Sequence, residues 1–338
     1  MAESVMDQVV ANLRENATRY YPSHPELRNV RVVGHTPKTD HYIYDVVMDF
    51  ADASERVAAK VYRSTKPNGH SKQMATTELG NLRYAFDVAE KKDLTGVPRP
   101  LGDFSPSGVV VAEKLNGLPL QSIVMKAALL PGYADHGLLA VAARYAGDWL
   151  RRFHRATAEG PAPFDGAAMQ KDLERLCLSC KGEGLDDQSI EMILTGTRGM
   201  LANARKSLPS SAVLNDFSPL NVLVSEQGIG IAEYAKLERK GYSYIDVAHF
   251  MACVEALEKY PFCNRDLIGE VQAAFLEAYG ASAEDEQLLR VFKMKALLTM
   301  FAAGRNVKDS AVRKRVMWAT VMKRFIHQAA QRSMAPAA

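Results

Sequence analysis

The chain has 338 residues, 47% hydrophobic and 24% charged, with a formal charge of +3. This is an ordinary globular composition, long enough for two cored domains, and the charge is too small to argue for nucleic acid as a partner. No apolar run approaches the roughly 20 residues that span a bilayer, and Met1 to Val5 begins no basic-then-apolar leader, so no membrane span and a cytoplasmic location are expected.

The chain opens with a predicted helix from Met6 to Thr18. Three strand-like runs follow, Val30–Val33, Tyr42–Phe50 and Arg56–Tyr62, rich in valine, tyrosine and isoleucine and separated by turn residues such as Pro37, Asp40, Asp52 and Ser54. They read as an antiparallel meander. A polar loop over 64–71 leads to a helix over about 72–90 with Leu79, Leu82, Ala85 and Phe86 on one face. Val97 to Leu101 is extended, because each proline biases its predecessor away from helix. Val109–Glu113 is a strand ending in the turn Asn116-Gly117-Leu118-Pro119. Beyond it the composition turns helical. Gly137–Ala156 puts Leu139, Ala142, Ala146, Trp149, Leu150 and Phe153 on one face, and a further helix covers Ala168–Ser179. Val213–Tyr234 is short strands and loops, and after Asp246 the pattern is helical, ending in a basic amphipathic stretch from Val312 to Gln328. Strands followed by helices imply two unequal lobes with a cleft between them.

Four cysteines are too few for a disulfide scaffold. Cys177 and Cys180 form one C-x-x-C with no second pair or histidines at zinc spacing, so they are read as plain helical thiols.

Two places carry chemistry. In Val57-Ala58-Ala59-Lys60-Val61 a lysine interrupts a β-branched strand, where leaving a buried ammonium unpaired is costly. It is either a solvent-facing lysine on an edge strand or a phosphate-binding cation held by Glu78 of the next helix. In Leu214-Asn215-Asp216-Phe217-Ser218-Pro219-Leu220-Asn221, an aspartate and an asparagine stand five positions apart ahead of an apolar strand. Phosphoryl transfer needs such a pair, a carboxylate for the attacking hydroxyl and an amide oxygen for Mg²⁺. The bland reading is an Asx-rich turn.

This segment resembles the catalytic loop of the kinase-like phosphotransferases, the family of aminoglycoside and choline kinases, and the likeness extends over about residues 30–255. It implies an α+β protein kinase-like two-lobed fold. A small antiparallel-sheet N-lobe would cover 1–115 with a hinge at 113–117, and a larger, mainly helical C-lobe 116–338 with its catalytic loop at 214–234. The implied activity is an ATP- and Mg²⁺-dependent phosphotransferase acting on a hydroxyl of a small molecule. By position, Asp216 looks like the catalytic base, Lys60 the phosphate-binding lysine, Glu78 its partner, Glu113 to Leu115 the adenine hinge, and Asn221 a magnesium ligand. Glu233 stands where the family carries its metal-binding aspartate. Asp246 looks like the residue that braces the loop, and the helix ending in Trp149-Leu150-Arg151-Arg152-Phe153-His154 matches a packing segment. Lys38 and Thr39 would offer charge and donors to phosphate from the covering loop.

Three departures stand beside the likeness. Leu214-Asn215-Asp216 replaces H-G-D, Glu233 replaces aspartate, and the loop Gly34–Asp40 holds one glycine. They keep open an impaired pseudokinase that serves as a nucleotide-binding or interaction module. An excess of lysine and arginine from Arg290 to Arg332 favours a neutral or anionic acceptor over a polycation, unless those charges only coat solvated helix faces.

Overall fold

Runs of valine and tyrosine build β1 (Leu27–Pro37), β2 (His41–Phe50) and β3 (Ser54–Tyr62), and β4 (Val109–Glu113) completes an antiparallel sheet in the order β1-β2-β3-β4. β1 is longer than the predicted Val30–Val33. Its extent is set by bonding to β2, which its mostly exposed side chains do not reveal. The computed structural model describes residues 5–63, 69–130, 136–181, 185–260, 262–304, 321 and 323–334. Contacts divide the chain into two units, residues 1–117 with 230–237, and residues 118–229 with 238–338.

In the first unit, side chains two apart on a strand share a face. Val57 and Ala59 of β3 join Val46, Met48, Val109 and Val111 in the core under α1 (Val5–Glu15) and α2 (Ala17–Tyr20). The helix predicted from Met6 to Thr18 is therefore two pieces. They part at Asn16, whose side-chain amide donates to the carbonyl of Asn12 and competes with helical bonding. Lys60 and Tyr62 take the opposite face of β3, toward α3 (His70–Lys91). That helix buries Ala75, Glu78, Leu79, Leu82, Ala85 and Ala89, an i, i+3, i+4 stripe with a glutamate inside it. Residues 64–68 of the predicted polar loop lie outside the described residues.

Residues 230–237 join this unit through two anchors. The N–H of Ile231 donates to the carbonyl of Gly96 at 2.9 Å, and the side-chain amide of Asn81 donates to the carbonyls of Tyr234 and Leu237 at 3.0 Å each.

The second unit is mainly helical: α4 (Leu120–Leu129), α5 (His136–Ala156), α6 (Gly166–Lys181), α7 (Asp187–Ala202), α8 (Tyr244–Glu255), α9 (Arg265–Tyr279), α10 (Glu286–Gly304) and α11 (Lys323–Met334). Strands are short: β5 (Leu118–Pro119), β6 (Gly160–Pro163), β7 (Ser207–Val213), β8 (Val222–Ser225), β9 (Gly228–Ile231), in whose course the chain passes to the first unit, and β10 (Glu238–Tyr242). β7 lies between β6 and β10. All six residues of the predicted α5 face are buried. The region after Asp246 breaks at 260, 262–264 and Ala281–Ser282, and residues 312–320 and 322 of its predicted last helix lie outside the described residues. Cys177 and Cys180 sit in the core on α6, and burial pushes the Cys177 thiol up to about 12, which suits neither metal binding nor redox exchange. Among the described residues no helix is long and apolar enough to cross a membrane.

α5 and α9 pack against each other at Gly147, where a built Cβ would lie 2.3 Å from the carbonyl oxygen of Phe275 and 3.0 Å from the Tyr279 nitrogen. Neither backbone atom can swing aside. Gly147→Ala is expected to lower stability by about 1–3 kcal/mol in chemical denaturation, despite alanine's higher helix propensity.

Candidate active site

Within the first unit, Lys60 is the centre of a charged cluster. Its Nζ lies 2.9 Å from Glu78 Oε1, and 2.9 and 3.0 Å from the two oxygens of Glu233. The Tyr62 hydroxyl donates to the other Glu78 oxygen, and the Ala235 N–H donates to Glu233 at 3.1 Å. The geometry has local causes. Strand alternation turns Lys60 away from the Val57–Ala59 face, and helical spacing places Glu78 on the inner stripe of α3. Asn81, one turn after Glu78, pins the loop that carries Glu233. Asn81 belongs to no motif of the sequence; its signal is the i, i+3 spacing from Glu78.

Burial opposes the charge on Lys60, but the two carboxylates outweigh it and hold the ammonium above the ordinary lysine range. Burial pushes the Glu78 carboxyl up; Lys60 pulls it down and Glu233 adds to the rise. Burial, and then the charge of Lys60, hold His41 below the usual imidazole range, although Asp40 bonds it at 2.7 Å.

Lys38 and Thr39 stand exposed at the β1–β2 hairpin tip, which the Lys38 N–H closes by donating to the carbonyl of His41 at 2.8 Å. The Glu113 side chain accepts from Arg99 at 2.9 and 2.6 Å, and its N–H donates to the Arg99 carbonyl. Leu115 packs on Gly230, where a Cβ would meet its side chain at 2.7 Å. Of the expected hinge, then, the Glu113 N–H is already spent within the protein.

In the second unit, β7 runs into the loop Leu214–Asn221. Both oxygens of the fully buried Asp246 accept from this loop, from the Leu214 N–H at 2.7 Å and the Asn215 N–H at 2.8 Å. Asp246 also contacts His154 Nε2 at 3.1 Å, and His154 Nδ1 contacts the Tyr279 hydroxyl at 3.0 Å. His154 of α5 thus belongs to the bracing, although the sequence marked it only as packing. Leu214, in the place of the missing histidine, is buried outright. Asn215 has φ +57, a left-handed conformation that asparagine and glycine tolerate best. Phe217 packs inward among Trp149, Phe250 and Phe275. The loop is pinned on both sides of Asp216, whose carboxylate stays partly exposed.

Asn221 donates its amide to the backbone carbonyl of Asp216 at 3.0 Å, which fixes the side chain and leaves its oxygen as the end able to meet a cation. That donor suits Mg²⁺. Glu233 does not suit it as placed, because both its oxygens already grip an ammonium. Among the described residues no cluster of three or more His, Cys, Asp or Glu is arranged to hold a metal.

His249 belongs to no motif of the sequence. Its Nε2 lies 3.6 Å from Asp216 Oδ1, an ion-pair contact too long for a hydrogen bond, and 3.6 Å from Cys253 Sγ. Burial works against charging it, but Asp216 and Cys253 push it up to about 10. The usable signal was its place on α8, one turn after Asp246, on the side that meets the loop.

No protein-family profile matches the sequence, and no curated protein is significantly similar to it. Solved structures do match: the chain has the protein kinase-like fold of the small-molecule kinases. Choline kinase from Cryptosporidium parvum Iowa II superposes with a TM-score of 0.58 at 13% identity, covering 97% of this chain and 96% of its own. Spectinomycin phosphotransferase in complex with ADP and spectinomycin gives 0.53 at 10% identity, with 96% and 97% covered. Amicoumacin kinase in complex with AMP-PNP, Ca²⁺ and Ami gives 0.53 at 12%, with 95% and 96% covered. At these identities the likeness is one of fold.

Removing the Asp246 carboxylate orphans one buried and one half-buried N–H group and leaves His154 without that partner. Asp246→Ala is expected to cost about 3 kcal/mol or more by denaturant titration. His249 gives a pH signature. Its folded value of about 10 lies above the unfolded value of about 6.5, so its contribution is complete below the latter and disappears as pH rises through the former. Between pH 6.5 and 10 the wild type should lose on the order of 2–4 kcal/mol more stability than His249→Gln, measured by urea denaturation across that range.

Proposed function

We propose that the protein is an ATP-dependent phosphotransferase acting on a hydroxyl of a small molecule. The observation that carries this reading is the buried Lys60 ammonium at 2.9 Å from Glu78. An ammonium costs free energy to bury, and holding it on a strand by a helix carboxylate is how phosphoryl-transfer enzymes present a cation to phosphate oxygens. The fold neighbours crystallised with ADP or AMP-PNP support nucleotide as the donor.

In this mechanism Lys60 transfers part of its bonding from Glu233 to the phosphates, while Glu78 keeps it in place. Glu233 becomes free to act as a metal ligand only when it lets go of the ammonium. Lys38 and Thr39 contribute charge and donors from the hairpin tip, and the backbone around Glu113 and Leu115 meets the adenine. Asp216, fixed by the braced loop, accepts a hydrogen bond from the acceptor hydroxyl and orients its oxygen at the γ-phosphorus. The new O–P bond forms as the bond to the β-phosphate oxygen breaks, and the hydroxyl proton passes to Asp216 as ADP leaves. Bound Mg²⁺, met by the Asn221 oxygen, would supply neutralisation of the triphosphate charge.

A second reading is favoured by one contact. Glu233 closes on Lys60 with both oxygens and occupies the cation that ATP needs, as expected of a pseudokinase or nucleotide-sensing module. The two readings separate on metal. The enzyme should show ATP-induced thermal stabilisation that depends on Mg²⁺, and ATP consumption with one member of a panel of hydroxyl metabolites. Asp216→Ala should lower kcat by about 10²–10⁴-fold with an unchanged folded-state circular dichroism spectrum, and Lys60→Met should abolish the ATP shift. Stabilisation without metal dependence or turnover would select the module, and equal turnover in Asp216→Ala would remove the assigned base.

A further inference from the structure

The second unit holds a cavity of about 1270 Å³ where the turn after α8 meets the starts of α9 and α11. Among the described residues that line it, the cations are Lys259, Arg265 and Arg324, from three different elements. Its carboxylates, Asp186 and Glu258, are committed to the protein. Asp186 caps α7 by accepting from the Ser189 N–H at 2.8 Å, and Glu258 pairs with Arg332 at 3.1 Å. The described lining thus carries three cations against two carboxylates. His327, which also lines the cavity, is engaged by Ser189 at 2.7 Å and Gln331 at 3.0 Å.

Two aromatic groups accompany the cations. Tyr260 lies beneath the Lys259 ammonium, 5.3 Å from ring centroid to Nζ. Phe262 is 99% exposed and has φ +66, a conformation that costs a bulky residue free energy. A phenyl ring held out in water at a strained position gains nothing from the protein itself. A ligand with an apolar or planar part would give it a contact.

The cavity is connected to the candidate catalytic loop by a single element. α8 presents His249 to Asp216 and, one turn later, Cys253 to His249; its 3₁₀ continuation, Ala256–Lys259, delivers Lys259 to the cavity. Six α-helical and four 3₁₀ steps carry the chain about 17 Å from His249 to Lys259.

We propose that this cavity anchors the acceptor, and that the acceptor is an elongated amphiphilic anion, carrying a phosphate or carboxylate about 15–20 Å from its reactive hydroxyl with an apolar or planar portion between. The anion meets Lys259, Arg265 and Arg324, and Tyr260 and Phe262 cover the apolar portion. Arginine and lysine from separate elements surround an anion better than any one helix end. This proposal rests on the phosphotransferase reading for the acceptor's role, but not for the binding itself.

The binding arm uses phenyl phosphate, followed by ligand-observed NMR and calorimetry on the full chain without nucleotide. Saturable binding is expected, weakened at least fivefold in Arg324→Gln and in Phe262→Ser, both at exposed positions, and unchanged in Lys60→Met. Phenol should bind far more weakly. No saturable binding, or binding lost in Lys60→Met and kept in Arg324→Gln, overturns the site. The acceptor arm pairs hydroxyl metabolites with their phosphorylated counterparts in an ATP-consumption assay. Turnover confined to anionic members is expected, with KM raised about tenfold and kcat within twofold in Arg324→Gln. Turnover confined to neutral or cationic members, or an unmoved KM, overturns the acceptor class. If ATP neither binds nor is consumed while phenyl phosphate still binds at Arg324, the phosphotransferase reading fails and the anion site stands.

Discussion

The first unit is organised around the cost of burying one ammonium. Lys60 sits in the second face of a strand whose first face is core, so its charge cannot be left to water. Glu78 answers from the apolar stripe of α3, Tyr62 satisfies the second Glu78 oxygen, and Glu233 arrives on a segment that returns from far along the chain. Each of these groups would be expensive alone. Together they fix the position of α3 on the sheet and hold residues 230–237 in the unit. Removing one member leaves the others as uncompensated buried charge, and so the cluster behaves as a unit.

The second unit solves a comparable problem with a carboxylate. Asp246 is fully buried and supplies acceptors to two N–H groups of the Leu214–Asn221 loop, while His154 and Tyr279 continue the chain of polar contacts into α5 and α9. Where the loop resembles H-G-D, the missing histidine is replaced by packing. Leu214 enters the core, and a backbone brace from α8 does the holding. The imidazole nearest Asp216 comes from α8 instead, as His249. The departures of the motif therefore do not leave the loop unsupported; they change which elements support it.

Much of this was legible in the residues because it depends on local periodicity. The β2 and β3 strands, the α3 and α5 faces and the Asp216–Asn221 spacing follow from alternation, from the 3.6-residue repeat and from adjacent turn chemistry. The missed elements are those whose signal is not local. β7, Ser207–Val213, carries no clear strand pattern because serines and a proline occupy it, yet it is held between β6 and β10. α7 begins on the cap of Asp186, which looks like any acidic loop residue. Asn81, His154 and His249 bond or pair with partners 92 to 156 residues away for the first two, and with a loop 33 residues upstream for the third, so their local spacing alone does not state their role. No window over the sequence contains both ends of such contacts.

Glu233 reaches Lys60 with a side chain one methylene longer than aspartate's. A shorter acid on the same backbone would fall short by up to about 1.5 Å, too far to grip the ammonium at hydrogen-bonding distance. The substitution at this position therefore works as a ruler. Its length decides whether the carboxylate closes the cluster as an internal clasp or stands clear of it, and a single carbon atom sets the resting allegiance of Lys60.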